Sequence, residues 1–158
     1  MLLKQVFPVD RIKLDLESDD KDELFEELGE FLAQATKRAL ERDQVVRALE
    51  ERESKMSTGI KKGIALPHGK IEGIEGSVGV IGVSKKGIDY ASLDGEPVYV
   101  VFLLLSSLKA PEQHLRVLRR IAVLLDDPAF LDSLMSARDP LSAFKTLERF
   151  EETLIREG

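Results

Sequence analysis

Apolar and polar positions alternate over Ile12-Lys13-Leu14-Asp15-Leu16, the period-two pattern of a short, half-buried strand. From residue 18 the period changes. Ser18-Asp19-Asp20 supplies helix-capping oxygens, and Glu23 stands three residues beyond Asp20. Leu24, Phe25, Leu28, Phe31, Leu32 and Ala35 then recur at helical spacing and predict one apolar face of a helix reaching about Arg38. A second helix is predicted from Asp43 to about Glu53, with Val46 and Leu49 inward. Ser57-Thr58-Gly59-Ile60-Lys61-Lys62-Gly63 breaks the pattern as a small, polar, flexible stretch, and Ile64 to Gly69 reads as a short apolar strand stopped by Pro67.

Ser77 to Ser84 predicts another strand, in which Gly79 and Gly82 predict close approach of a neighbour from one side. Lys85-Lys86-Gly87 and Asp94-Gly95 are turn signals. Pro97 to Ser106 is the predicted core strand. Its apolar run, Val98 to Leu105, is far short of the ~20 residues that a membrane helix needs and reads as a strand buried on both faces. Pro111 opens a helix with an inward stripe of Leu115, Leu118, Ile121, Ala122 and Leu125, which Asp127-Pro128 ends. Phe130, Leu131, Leu134 and Met135, then Leu141, Phe144, Leu147 and Phe150, predict two closing helices. With no internal repeat, low-complexity tract or linker, the order helices, strands, helices predicts an α/β fold. Residues 1–158 form a single domain, a mixed central β-sheet flanked by helices on both faces.

Composition narrows the chemistry. The chain lacks cysteine, which excludes a disulfide scaffold, a thiolate nucleophile and thiolate metal sites. Lys and Arg number 23 against 29 Asp and Glu, a net charge of −6, and no basic cluster suits a nucleic-acid backbone. The N-terminus shows no basic stretch followed by an apolar core, so a soluble cytoplasmic protein is expected, without membrane insertion. Gly-x-Ser-x-Gly, Gly-x-Gly-x-x-Gly and Gly-x-x-x-x-Gly-Lys-Ser/Thr are all absent. His68 and His114 are the two histidines, and no carboxylate lies at ligand spacing from either, so no metal site is expected.

His68 follows a buried-looking strand, held by Pro67 before it and released by Gly69 after it. Gly69 admits a bulky group close to the backbone and leaves a neighbouring amide free to donate. Ser57 and Thr58 add hydroxyls about ten residues earlier, and Arg52 adds a planar, permanently charged fork suited to phosphate oxygens. Neutral imidazole is a competent nucleophile near pH 7. The parts fit a histidine that carries a phosphoryl group. His114, in the first turn of its helix, is kept neutral by the positive end of the helix dipole and is placed to steady such a group. Each part also has an ordinary reading: a hydrogen-bonded histidine after a strand, a histidine covering its helix, a plain loop, a solvated arginine among Glu50, Glu51 and Glu53.

The order of these residues tips the balance. Arg52-Glu53, Ser57-Thr58-Gly59-Ile60 and Gly63-Ile64-Ala65-Leu66-Pro67-His68-Gly69-Lys70 resemble the signature of the fructose/mannitol-type enzyme IIA domain of the phosphoenolpyruvate-dependent phosphotransferase system. Gly87-Ile88-Asp89-Tyr90, Leu93-Asp94-Gly95-Glu96-Pro97-Val98 and Glu112-Gln113-His114-Leu115 agree, so the resemblance runs from about Ile12 to Phe150. The Ser-Thr-Gly-Ile form is most similar to the nitrogen-regulatory branch. The resemblance implies an α/β sandwich and a phosphotransferase component without cofactor. In it His68 accepts phosphate from the histidine carrier protein and passes it to an enzyme IIB domain, or serves as a phosphorylation-dependent switch for regulated protein targets. It further implies that His114 is the family's second histidine, that Arg52 lines the phosphoryl pocket and that Thr58 lies beside it. Lys61 and Lys62 depart from the pattern, standing where relatives often carry a glycine and a small polar residue, and Leu66 stands where isoleucine is frequent. The docking surface around His68 is expected to be modest with an apolar centre, for which Leu66 and Ile71 are candidates, each reading at least as well as a core residue.

Overall fold

Val98–Ser107 (β5) is the strand around which the molecule is organised, and nearly all of its side chains are buried. The structure, a computed structural model, describes residues 1–60 and 62–157. The N-terminal part gives a short helix, Leu3–Val6 (α1), a 3-10 turn at Val9–Arg11, and the strand Ile12–Lys13 (β1). The helices Lys21–Ala35 (α2) and Arg42–Glu53 (α3) follow. The strands Ile64–Ala65 (β2), His68–Ile71 (β3) and Ser77–Ile88 (β4) precede β5, and Pro111–Leu125 (α4), Pro128–Met135 (α5) and Pro140–Glu157 (α6) complete the chain.

β5 pairs antiparallel with β4 on one side and parallel with both β2 and β3 on the other, and β1 extends the sheet beyond β4 in parallel. The sheet is therefore mixed, as the order of elements predicts. Alternate residues of β5 serve opposite cores. Val100, Phe102 and Leu104 pack with α1, α4, α5 and α6, whereas Val101, Leu103 and Leu105 pack with α2 and α3. Burial of each such side chain is worth roughly 1.5–3 kcal/mol. The double-sided burial explains why this strand reads as a continuous apolar run.

Several boundaries differ from the sequence expectation for identifiable reasons. Asp20 caps α2 by accepting from the Glu23 amide at 2.9 Å, as predicted. The helix stops at Ala35 rather than Arg38. There the Thr36 hydroxyl donates to the Leu32 carbonyl, and Lys37 and Arg38 turn into the left-handed region at φ 53° and 67°. β4 runs through the expected turn at residues 85–87, absorbing it as a bulge between Val83 and Ile88 with Gly87 at φ +90°. Gly79 and Gly82 admit close neighbours, but on opposite faces: a Cβ at Gly79 would collide with Phe7, and one at Gly82 would lie 2.7 Å from Leu16 Cδ1. Positions three apart on a strand cannot share a face.

Two corrections bear on the site. α4 buries His114, Val117, Ile121, Leu124 and Leu125, so its inward stripe is turned by one position from the predicted one and leaves Leu115 51% exposed. The helix is oriented by what it meets on β5, and His114 finds a hydroxyl there. Leu66 and Ile71, the candidate docking centre, are buried in the two separate cores and cannot meet a partner.

Candidate active site

Pro67 divides one edge strand into β2 and β3 without shifting its register, which continues from Ile64 opposite Val100 to Ile71 opposite Ser107. The proline has no amide to place in the ladder. Leu66 donates its own amide to the Thr58 carbonyl at 2.9 Å, so its backbone faces away from β5. His68, the first residue of β3, folds back on that open carbonyl: its Nδ1 lies 2.7 Å from Leu66 O. A carbonyl only accepts, so Nδ1 carries the ring proton and Nε2 keeps its lone pair.

His114 reaches the same place from the first turn of α4, which Pro111 opens at a position where no intrahelical amide is needed. The two rings stand 5.7 Å apart between centroids, tilted by 44°. His114 is only 6% exposed, and its Nδ1 lies 2.6 Å from Ser106 Oγ. Arg52, in the last turn of α3, turns Nη1 to the Met56 carbonyl at 3.0 Å and keeps its other donors free of intramolecular partners among the described residues. Gly69 is buried beneath α3, where a Cβ would sit 3.0 Å from the Ala48 carbonyl oxygen. Its lack of a side chain is thus what lets α3, and Arg52 with it, lie against β3.

His68, Gly69, Arg52 and His114 line one groove of about 450 Å³, together with Glu51, Lys55 and Lys70. Leu108, 55% exposed, and Leu115 supply its apolar rim. Burial pushes the His68 imidazole below its ordinary pKa, the Leu66 bond opposes this, and the nearby Arg52 charge reinforces it. Burial also pushes His114 down, to about 4, with the charges of His68 and Lys70 adding to the effect. Both rings are therefore neutral near pH 7.

Ser57 and Thr58 stand apart from the groove. Thr58 is buried, and its hydroxyl meets Glu53 Oε1 at 2.5 Å and Tyr90 at 2.7 Å, while Ser57 Oγ accepts from the Gly59 amide at 3.1 Å. Glu53 also accepts from the Thr58 amide at 2.8 Å and pairs with Lys21 Nζ at 3.3 Å. This carboxylate anchors the segment leaving α3. Lys62 is exposed at φ 51°, with its amide on Asp94 Oδ2, and Lys61 lies outside the described residues. Sequence reasoning gave no role to Glu53, Tyr90, Ser77 or Ser106. Glu53 and Tyr90 lie inside the quoted motifs, whereas nothing local marks the two serines. Among the described residues no cluster of three or more histidines and carboxylates could hold a metal ion, and no helix is long and apolar enough to cross a membrane.

A half-buried histidine with a fixed tautomer, an arginine and a second neutral histidine thus share one groove, an arrangement chemically able to handle a phosphoryl group. Residues 5–150 match the family described as "Phosphoenolpyruvate-dependent sugar phosphotransferase system, EIIA 2", and the chain belongs to that family. Its work therefore lies in phosphoryl transfer. It is 37% identical over 125 residues to the PTS system fructose-specific EIIABC component of Bacillus subtilis, covering 79% of this chain but only 20% of that larger protein. The crystal structure of nitrogen regulatory protein IIA-Ntr from Neisseria meningitidis is similar with a TM-score of 0.84 and 30% identity, over 92% of this chain and 98% of that one. The fold is also that of the mannitol enzyme IIA of Escherichia coli in its complex with phosphorylated enzyme IIB, with a TM-score of 0.73 and 20% identity over 90% of this chain and 98% of that one.

Proposed function

We propose that His68 Nε2 takes a phosphoryl group from a phosphohistidine on the histidine carrier protein and surrenders it to an enzyme IIB domain. The observation that carries this reading is the bond from Nδ1 to Leu66 O, which leaves Nε2 as the nucleophile. Its lone pair forms the new P–N bond while the bond to the donor's ring nitrogen breaks and that electron pair returns to the donor imidazole. With a proton on its other ring nitrogen the donor leaves as neutral imidazole, so no proton need move in the step. The His68 ring becomes cationic as the group arrives, and the Leu66 carbonyl stabilises that charge. Arg52 aligns and neutralises the phosphoryl oxygens, acting by position and charge. The apolar rim of Leu108 and Leu115 suits a brief, modest contact with each partner in turn. Classed by reaction, the chain is a phosphotransferase component that works in the cytoplasm.

The similarity to a nitrogen regulatory protein supports a second use of the same chemistry. A phosphoryl group on His68 adds up to about two negative charges to a surface that lacked them, enough to make or break a contact with a regulated protein. Incubation with phosphoenolpyruvate, enzyme I and the histidine carrier tests the first step. An acid-labile, base-stable phosphate on Nε2 of His68 is expected, and its persistence in His68→Ala would overturn the assignment. A relay then loses the label within seconds to an enzyme IIB domain. A switch keeps it and binds its target in one phosphorylation state only.

A further inference from the structure

Behind His114 runs a short line of buried hydroxyls. Ser106 Oγ lies 2.6 Å from His114 Nδ1 and 2.7 Å from Ser77 Oγ. Ser77 and Ser106 sit directly opposite one another on β4 and β5, and both are buried. Ser77 Oγ has Ser106 as its one hydrogen-bond partner among the described residues.

Protons can be placed along this line with the ring proton on Nδ1 or on Nε2. In the first case Nδ1–H donates to Ser106, and one of the two buried serine protons is left with no acceptor, whichever serine donates to the other. In the other, Ser77 donates to Ser106 and Ser106 donates to Nδ1, so each hydroxyl proton is used. A buried donor without an acceptor is the costly arrangement, so the second wins. We propose that Ser106, with Ser77 donating into it from behind, is a positioning residue that fixes His114 as the tautomer protonated on Nε2, a standing hydrogen-bond donor to the group carried on His68.

The assignment explains why a neutral imidazole suffices at this position. A protonated ring would donate from both nitrogens and would compete with Ser106, whereas the relay supplies one donor already oriented. It also explains why α4 turns His114 inward in place of Leu115: the hydroxyl that holds the ring is on β5.

The inference rests on the phosphoryl-carrier reading for its consequence, but the tautomer can be read without it. Long-range proton–nitrogen NMR on the full chain, as parent, Ser106→Ala and Ser77→Ala, reports which nitrogen of His114 bears hydrogen. The parent should show Nε2–H alone. Ser106→Ala removes the donor to Nδ1 and should admit the Nδ1–H form, whereas Ser77→Ala, which touches neither ring, leaves Nδ1 as the one acceptor for the Ser106 proton and should keep Nε2–H. Phosphoryl transfer from the phosphorylated histidine carrier to His68 should fall about tenfold in Ser106→Ala and less in Ser77→Ala. If Ser106→Ala does not fold, the tautomers of the parent and of Ser77→Ala, both expected as Nε2–H, decide. An Nδ1–H ring in the parent or in Ser77→Ala, or an unchanged Nε2–H ring in a folded Ser106→Ala, overturns the relay. A parent chain with the expected tautomer that takes no phosphoryl group overturns the carrier reading instead.

Discussion

The carbonyl oxygen of Leu66 lies 2.7 Å from Nδ1 of His68, two residues further along the same strand edge. The sequence makes this bond local. Pro67 removes an amide from the edge, Leu66 turns its backbone outward to Thr58, and the imidazole closes over the acceptor left open. The tautomer of the ring is thus set within three residues, and the wider fold need only bring Arg52 and His114 to the same groove.

The pH dependence of phosphoryl acceptance follows from this. His68 must be neutral to attack, and burial holds its pKa below the usual 6.5. Acceptance should be flat through neutral pH and fall as the medium becomes more acid than that value. A rapid-quench titration with phosphorylated histidine carrier would check it, and a half-maximum above pH 6.5 would contradict it.

Replacement of Arg52 separates charge from shape. Arg52→Ala should slow transfer to His68 on the order of a hundredfold. Arg52→Lys should recover only part of that loss, because an ammonium cannot hold the Met56 carbonyl and two phosphoryl oxygens in one plane. Single-turnover rates compare the three proteins, and equal rates in all would remove Arg52 from the pocket.

Gly69→Ala probes the packing of α3 on β3. The added methyl would press on the Ala48 carbonyl oxygen at 3.0 Å, backbone against backbone, and neither side can rotate away. A loss of about 1–3 kcal/mol in denaturant unfolding is expected, with transfer slowed by the displaced Arg52. Unchanged stability would mean that the helix shifts freely.

Glu53→Gln tests the anchor beneath the site. The carboxylate holds the Thr58 amide and hydroxyl, Tyr90 and Lys21, and its side chain is only 6% exposed. The amide retains shape but loses charge, and should cost about 2 kcal/mol in chemical denaturation. A loss of a few tenths would show that the network is ornamental.

His114 predicts an acid-sensitive stability. Its pKa is about 4 when folded against 6.5 as the ordinary value, so between these the unfolded chain binds a proton that the folded chain refuses. The contribution is full above pH 6.5 and is lost as pH falls towards 4, on the order of 3 kcal/mol. His114→Gln should lose less than the parent over that window in matched urea titrations.

What the sequence made legible was local. Val98 to Leu105 announced its double-sided burial, Asp20 its cap and Pro111 its helix start, since each depends on neighbours in the chain. The motif placed His68, Arg52 and His114 in order along the chain but not around one groove. The inward turn of α4 was hidden because leucine at 115 outbids histidine at 114 in hydropathy, and the burial of Val117 and Leu124 and the Ser106 hydroxyl, on another element, favour the other face. Thr58 was legible as a hydroxyl near the site but not as the partner of Glu53 and Tyr90, because 32 residues separate it from Tyr90.

The interruption at Pro67 has a further effect. A lateral strand with open amides and carbonyls invites another chain to add to the sheet and polymerise. Here the outward Leu66 amide is tied to Thr58, its carbonyl is occupied by an imidazole, and the next stretch is roofed by α3. The features that fix the tautomer of the ring thus also blunt the open side of this strand and leave it little to offer a second copy.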